Sequence, residues 1–524
     1  MISPLLLNKV CQSPRIFLKY TILFLDMDCC NSMVQLEDLK MAENLRFCFN
    51  IDISEDSFYS GKTGCHPFTR SDAICTADNI RMQFNGITSY IDASNVYGSD
   101  EEKAEKLRAK AKGQMLTHEI GPLLPSRKQA GFESSEHEHP EDLVGGDVRA
   151  IEQPGLASMH SLFLNEHNRI AGLFSNNRPE MGDEEIFQIT RKLIGAELQN
   201  IVYSEFLPVV LGNDTMKKYN LKLPDDKEEN TIYDPLVDST IDNEFATVAF
   251  RFGHSLIPNL LLPSTSPLRT SQLCPLSHNF FKFDEFVIGA DKSGKAWQNL
   301  LLGVTKQQSP GADSSINRNI LDYLFCEDCG IPGGFGQDLA ARNIQRGRDH
   351  GLPSYTKFRE FCGLDVPGNW ASRPVDISEN NWKRLENVYA NVEDIDPFTG
   401  GLSETLIPHG LVGPTFACII GQQFQKLKVG DKFFFTHSSQ GAQSEHGLPK
   451  KAKKAIRERS LGDILCDNAG ALSTPSKVMQ LDESDQEISC SARSGLNFED
   501  VEEMIGQGNY YYHINKPFVG HGKV

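Results

Sequence analysis

Nowhere in this 524-residue sequence is there an apolar run long enough to span a bilayer, so no transmembrane segment is expected. Basic charge is also short: 52 Lys and Arg stand against 70 Asp and Glu, a net −18. Nucleic acid and anionic membranes reward the opposite balance, so neither is expected as a partner. Gly/Ser and Gln/Asn tracts are missing, which excludes low-complexity disorder as the organising feature. "CEDC" at 326–329 stands alone, with no second CxxC to face it, so structural zinc is not expected. Internal repeats and interdomain linkers are missing too. The N-terminus, "MISPLLLNKVCQSPRIFLKYTILFLDMDCC", lacks the single apolar core and small-residue cleavage site of a signal peptide.

What is present is helical pattern and cysteine. Apolar residues recur at three- and four-residue spacing in 157–174 and, for longer, in 184–211. Further helices are expected at 294–303, 314–325, 337–346, 352–362, 380–389, 412–426 and 450–464. Strand-like runs are few and short, "KFFFTH" at 432–437 among them, and polar loops are expected at 119–148, 224–241 and 263–276. The economical fold is one large, mainly α domain with very few short strands. Thirteen cysteines fit disulfides in an oxidising compartment, with one thiol left over by parity. The triplet Asn213-Asp214-Thr215 is consistent with secretion. The basic cluster "KKAKKAIRER" at 450–459 reads as a solvated helix face.

Four stretches carry chemistry. "VAFRFGHSLIPNLLL" (248–262) sets His254 inside an apolar run, with Arg251 three residues earlier on the same helical face. "LAARNIQRGRDHGLPSY" (339–355) packs Asn343, Arg346, Arg348, Asp349 and His350 beside Leu339, Ile344 and Leu352. Such density suggests a buried network that recognises something anionic or planar. "GGDVRAIEQPGLASMHSLFLNEHNRI" (145–170) places Arg149 and Glu152 just ahead of an amphipathic helix. "GITSYIDASNVYGSD" (86–100) offers Thr88, the Tyr90 carbonyl, Asp92 and Ser94 at alternate positions, a spacing that wraps oxygens around a hard cation such as Ca²⁺. His160 and His167 read as structural, and His137 and His139 as part of a solvated acidic loop.

Together, and in this order, these stretches resemble the animal haem-peroxidase family, with the likeness running from about Cys48 to Cys490. The resemblance implies a helical domain at 31–500 around a buried b-type haem, an N-terminal segment at 1–30 and a tail at 501–524. It implies His254 as the iron's proximal ligand through Nε2, with Asn343 accepting a hydrogen bond from the other ring nitrogen. It implies Arg149 as the distal arginine that polarises peroxide, and Glu152 as the carboxylate that forms an ester with a haem methyl. Gln153 stands where myeloperoxidase has a haem-linked methionine, so that third link is expected to be absent. Thr88, Tyr90, Asp92 and Ser94 match a calcium loop, and Arg251 and Arg346 match haem-propionate partners. Disulfides Cys362–Cys418 and Cys466–Cys490 are implied, with Cys48 and Cys65 paired to Cys29 and Cys30 in some order.

One element of the pattern is missing. The family carries a second, distal histidine in a W-G-Q-x-x-D-H-D tract, where it moves the peroxide proton. This chain has no histidine before His66, and its nearest likeness, "LFLDMDCC" (23–30), has Met27 between Asp26 and Asp28. Three readings stand: the first residues replace the true distal segment, Met27 occupies the distal site, or the form is shortened and binds haem poorly. The expected function is a secreted peroxidase that reduces H₂O₂ and oxidises phenolic, tyrosyl or halide donors, weakened if the distal base is truly gone. The alternative is a catalytically weak or inactive adhesion or scaffold protein on the same fold. A cyclooxygenase-like fatty-acid oxygenase fits less well, because the calcium loop and the "RNIQRGRDHG" block resemble the peroxidase branch.

Overall fold

A computed structural model describes residues 48–75, 80–134, 139–224, 233–264, 273–326, 329, 333–437, 447–480, 486–493 and 495–505. Cys29, Cys30, the 23–30 tract, His137 and most of the 501–524 tail lie outside these residues. Helices dominate: α1 (Pro154–Asn177), α2 (Asp183–Ile201), α3 (Leu207–Lys218), α4 (Ala296–Val304), α5 (Leu339–Asp349), α6 (Tyr355–Phe361), α7 (Glu379–Glu386), α8 (Pro397–Ser403), α9 (Pro414–Gly430), α10 (Lys450–Glu458) and α11 (Leu461–Asn468). The described strands make only two-stranded antiparallel ribbons: β1 (Ile51–Asp52) with β2 (Cys65–His66), β3 (Ala73–Cys75) with β4 (Arg81–Gln83), β5 (Leu260–Leu261) with β6 (Cys274–Pro275), and β7 (Ser473–Pro475) with β8 (Glu487–Ser489).

Local chemistry sets the helix ends. Gln153 starts α1 by accepting a hydrogen bond from the Gly155 N–H at 2.6 Å, and Pro154 fills the first turn where no N–H is needed. Asp183, Glu184 and Glu185 open α2, where negative charge meets the helix dipole. The continuous helix expected over 184–211 is divided: α2 passes through a π turn at Val202–Phe206, and α3 restarts with Pro208 in its first turn. The helix expected over 450–464 is likewise two, because Ser460 and Asp463 form a capping box that starts α11. Over 314–325 only Arg318–Leu321 is α-helical.

α1 packs against α2, α4 and α11, and α9 packs against α3. Leu162, Ile170, Phe174, Leu193, Ile194, Trp297, Phe416, Ile420 and Ile464 meet in one buried core. The "KFFFTH" run is not a strand. Asp431 accepts the Phe433 N–H at 2.8 Å, successive turns follow, and Phe434 and Phe435 are both buried, so no in-out alternation exists to form a sheet face. The 450–459 cluster is only partly solvated: Lys453 and Arg459 are buried. Arg459 pairs with Glu166 and Glu197 at 2.6 Å each and with Asp467 at 2.9 Å, tying α1, α2 and α11 together.

Both implied disulfides form: Cys362–Cys418 joins the end of α6 to α9, and Cys466–Cys490 joins α11 to the turn after β8. Cys326 and Cys329 of "CEDC" also pair with each other. Cys48 and Cys65 are disulfide-bonded, and Cys274 is a buried free thiol. Among the described residues, no helix is long and apolar enough to cross a membrane.

Candidate haem-binding site

His254 does not sit on the α-helix that its apolar neighbours suggest. Ala249–Leu256 winds as a 3₁₀ segment, Ile257 turns extended, and the chain continues into β5. Pro258 is the local reason, since it lacks an amide hydrogen and disfavours helical geometry in the residue before it. The segment packs against α8 and α9. One ring nitrogen of His254, Nδ1, lies 2.8 Å from Asn343 Nδ2 on α5. Nε2 has no protein partner among the described residues. Burial and then the charge of Arg251 push the ring's pKa down to about 3, so it is neutral at any ordinary pH.

Asn343 is fully buried, and its Oδ1 accepts from Arg251 Nη1 at 2.8 Å. Among the described residues, the only other bond of Arg251 runs from Nε to the Ala246 carbonyl at 3.2 Å, and no carboxylate pairs with it. Burial first, then Arg346, Arg149 and Arg342, push its pKa down to about 10. A guanidinium crowded by three others and lacking an anion is the setting in which a ligand carboxylate is recognised.

The rest of the 339–355 block is spent on internal partners. Arg346 stacks on Phe68, its centre 4.0 Å from the ring centroid, and donates to Asp349, Ser71 and the Thr69 carbonyl. Arg348 makes a two-pronged pair with Asp396 at 2.7 and 2.9 Å. Asp349 also accepts from Arg70 and the Ser71 N–H, while His350 binds Ser71, Asn243 and Thr247. The expected burial holds for Asn343 and Asp349 but not for Arg348, whose side chain is 54% exposed, and the network anchors the chain around Ser71. Arg251 and Asn343 are the members that face His254.

Arg149 and Glu152 lie on the turn before α1. Asp147 caps the 3₁₀ turn Val148–Ile151 by accepting the Arg149 N–H at 2.8 Å, and it also grips the guanidinium at 2.7 and 3.0 Å. Burial alone would raise the Asp147 pKa, but these bonds and the arginine's charge outweigh it and hold it at about 2. Sequence reasoning missed Asp147, although an aspartate two residues before the arginine is a readable capping signal. The arginine itself stays about half exposed, at 53%. The Glu152 carboxyl makes no hydrogen bond among the described residues, and burial, partly offset by Arg149, pushes its pKa up to about 7. Arg149 acts electrostatically on both Glu152 and Arg251, and Arg251 acts on His254. An unpartnered imidazole nitrogen, a cation without an anion and an unbonded carboxyl fit a flat iron porphyrin with acidic side chains.

The expected calcium oxygens also converge. Thr88 Oγ1 lies 2.9 Å from Asp92 Oδ1, 3.3 Å from Ser94 Oγ and 3.4 Å from the Tyr90 carbonyl. Ala93 takes the left-handed backbone conformation (φ 63°), and the Ser94 N–H donates to Asp92. Behind this loop lies Gly146: a Cβ there would come within 2.5 Å of the Ser94 carbonyl and the Gly98 nitrogen. The turn carrying Arg149 therefore rests directly on the 88–94 loop. His167 is structural as expected, bonded to Tyr97 at 2.7 Å and to the Gly113 carbonyl at 2.8 Å. His160 donates from Nδ1 to the Leu156 carbonyl.

The family model for animal haem peroxidase matches residues 21–479. A peroxidasin homologue of Caenorhabditis briggsae is 35% identical over 455 residues, covering 82% of this chain and 34% of that protein. Mouse myeloperoxidase is 35% identical over 456 residues, covering 82% of this chain and 59% of its own length. The chain thus spans about a third of the peroxidasin and under two thirds of the myeloperoxidase. Among solved structures, peroxidase A of Dictyostelium discoideum superposes with a TM-score of 0.67 at 27% identity, over 83% of this chain and 81% of that one.

Proposed function

The chain belongs to the animal haem peroxidase family, and from that premise we propose that it is a secreted peroxidase that reduces H₂O₂ and oxidises phenolic, tyrosyl or halide donors. The observation that carries the reading is His254: a buried neutral imidazole oriented through Nδ1 by Asn343, with Nε2 left without a protein partner among the described residues. Relatives named peroxidasin and myeloperoxidase support the extracellular setting, as do the disulfides.

In this reading bound haem supplies the two-electron redox chemistry, and the chain supplies binding, orientation and charge. His254 holds the iron, and Arg251 receives a propionate; Arg346, turned to Asp349, gives at most a second, longer-range positive charge. Arg149 would present a fixed positive charge on the haem's peroxide side, and its pairing with Asp147 limits how far it swings. Glu152, with a carboxyl poised near neutrality, is the group for the ester link to a haem methyl. Thr88, Tyr90, Asp92 and Ser94 hold Ca²⁺ and so stiffen the turn beneath Arg149. This chain has no histidine before His66, where the family carries its distal base. Met27, at the matching place in "LFLDMDCC", lies outside the described residues, and a thioether there would not shuttle protons.

His254→Ala is expected to abolish the haem Soret band of the purified chain; normal haem binding by that variant overturns the assignment. Peroxide added to the loaded wild-type chain then separates active from inactive peroxidase. A spectrum that changes with peroxide and returns on adding a phenol supports catalysis, whereas a stable haem spectrum untouched by peroxide supports the adhesion or scaffold reading.

A further inference from the structure

Asn343 lies between a guanidinium and an imidazole, and its orientation sets where the imidazole carries its hydrogen. This inference rests on His254 being the haem ligand. A guanidinium has donors only, so the end of the Asn343 amide facing Arg251 at 2.8 Å must be its oxygen. The amide nitrogen then faces His254 Nδ1, also at 2.8 Å. Turned over, the amide would set its NH₂ against the arginine N–H, donor against donor. An amide NH₂ can only give, so Nδ1 receives, and a neutral ring that receives at Nδ1 carries its hydrogen on Nε2. In that form Nε2 has no lone pair for iron, although it is the nitrogen the site offers.

We propose that Arg251 is a tautomer latch: it holds Asn343 in the orientation that leaves the His254 hydrogen on Nε2, and it releases the amide when a porphyrin carboxylate draws the guanidinium away. Freed, the amide turns, its oxygen accepts from Nδ1–H, and the Nε2 lone pair becomes available. The change balances without redox chemistry. The ring gives the Nε2 proton to water and takes one at Nδ1, so its net charge is unchanged. The surroundings of Arg251 favour release: no described carboxylate holds it, and Arg149, Arg342 and Arg346 crowd it. Arg251 is a positioning residue on this account, acting on the ligand through Asn343. Propionate recognition and iron ligation become one coupled event, so a porphyrin without free carboxylates meets a histidine in the wrong tautomer.

The test uses the full chain prepared free of haem with ¹⁵N-labelled histidine, together with Arg251→Leu. Nitrogen NMR of His254 is expected to show Nε2–H in the wild type and a shift toward Nδ1–H in the variant. Arg251→Gln, whose amide can meet Asn343 with either end, is the second variant and carries the same expectation. Porphyrin titrations then separate a latch from an ordinary salt bridge. For the dimethyl ester of iron protoporphyrin, which offers no carboxylate, the latch makes Arg251→Leu bind about tenfold tighter than wild type, the worth of roughly one net hydrogen bond. A salt bridge alone predicts equal affinities. An Nδ1–H ring or an even mixture in the haem-free wild type, or equal diester affinities, overturns the latch. The underlying reading fails separately: normal haem binding by His254→Ala rejects that reading, whereas a chain that loses haem with His254→Ala yet shows an Nδ1–H ring rejects the latch alone.

Discussion

Arg149 shows how one residue's usefulness depends on another that binds nothing itself. A guanidinium that is 53% exposed could sample many rotamers, and each would move its charge away from the position that the proposed function needs. Asp147 removes most of that freedom by gripping the side chain with two oxygens while capping the backbone turn below it. Asp147→Ala should therefore cost about 1 kcal/mol of stability, the ordinary worth of an N-cap. It should also slow the reaction of the haem-loaded chain with peroxide by about tenfold, a modest loss of charge stabilisation. Denaturant titration and stopped-flow absorbance check the two parts. An unchanged peroxide rate alongside lowered stability would assign Asp147 to the fold alone. Gln153 illustrates the opposite kind of substitution. Where myeloperoxidase carries a methionine toward its haem, this chain uses the side chain to start α1, so the departure from the family pattern has a structural employment.

At the level of elements, two contacts tolerate little change. The first is Gly146 against the 88–94 loop. A Cβ at this position meets backbone atoms of Ser94, Val96 and Gly98 at 2.5–2.6 Å, and backbone cannot step aside as a flexible side chain could. Gly146→Ala is expected to cost about 1–3 kcal/mol through overpacking and, on the proposed reading, to weaken calcium binding, because relief must come from displacing Ser94. Melting curves with added Ca²⁺ and with excess chelator check it: the gap between the two should shrink in the variant, and an unchanged gap would separate the turn from the loop. The second is Arg459 between α10 and α11. Arg459→Met leaves Glu166 and Glu197 buried with their common cation gone and should destabilise by about 3–5 kcal/mol, measured by urea unfolding. The sequence made His254, Arg149, Glu152 and the loop oxygens legible because each sits in a long motif whose residue types have few other uses. Arg459 was not legible. In a run of lysines and arginines nothing marks the one that turns inward, because the carboxylates that call it inside lie more than 250 residues earlier in the chain. The 3₁₀ winding under His254 was hidden for a related reason: its apolar spacing suits an α-helix, and the override comes from Pro258 and from packing against α8 and α9.

Across the whole molecule, stability at acid pH is a contest between two sets of buried groups. His66, His167 and His350 are pushed down to about 4 by burial, and His254 to about 3. Glu152, Glu205 and Asp431 are pushed up to about 7, again by burial first. Between pH 4 and 6.5 the unfolded chain takes up protons on histidines that the folded chain refuses, so this set makes the fold more stable as pH rises. The carboxyls act with the opposite sign: the folded chain keeps protons that the unfolded chain has released, so their contribution falls as pH rises toward 7. The two sets largely oppose each other, and a total pH profile alone would hide both. His167 isolates one side. It is fully buried between Tyr97 and the Gly113 carbonyl, so little solvent screening dilutes its shift from 6.5 to about 4. That shift corresponds to about 3 kcal/mol lost as pH falls from 6.5 to 4. His167→Gln removes the titrating ring, so the variant's unfolding free energy should fall by about 3 kcal/mol less than the wild type's over the same interval. Parallel denaturant titrations at pH 6.5, 5 and 4 decide it: converging stabilities as the pH drops support a neutral buried imidazole, and a constant difference between the two proteins would mean that His167 does not titrate differently on unfolding.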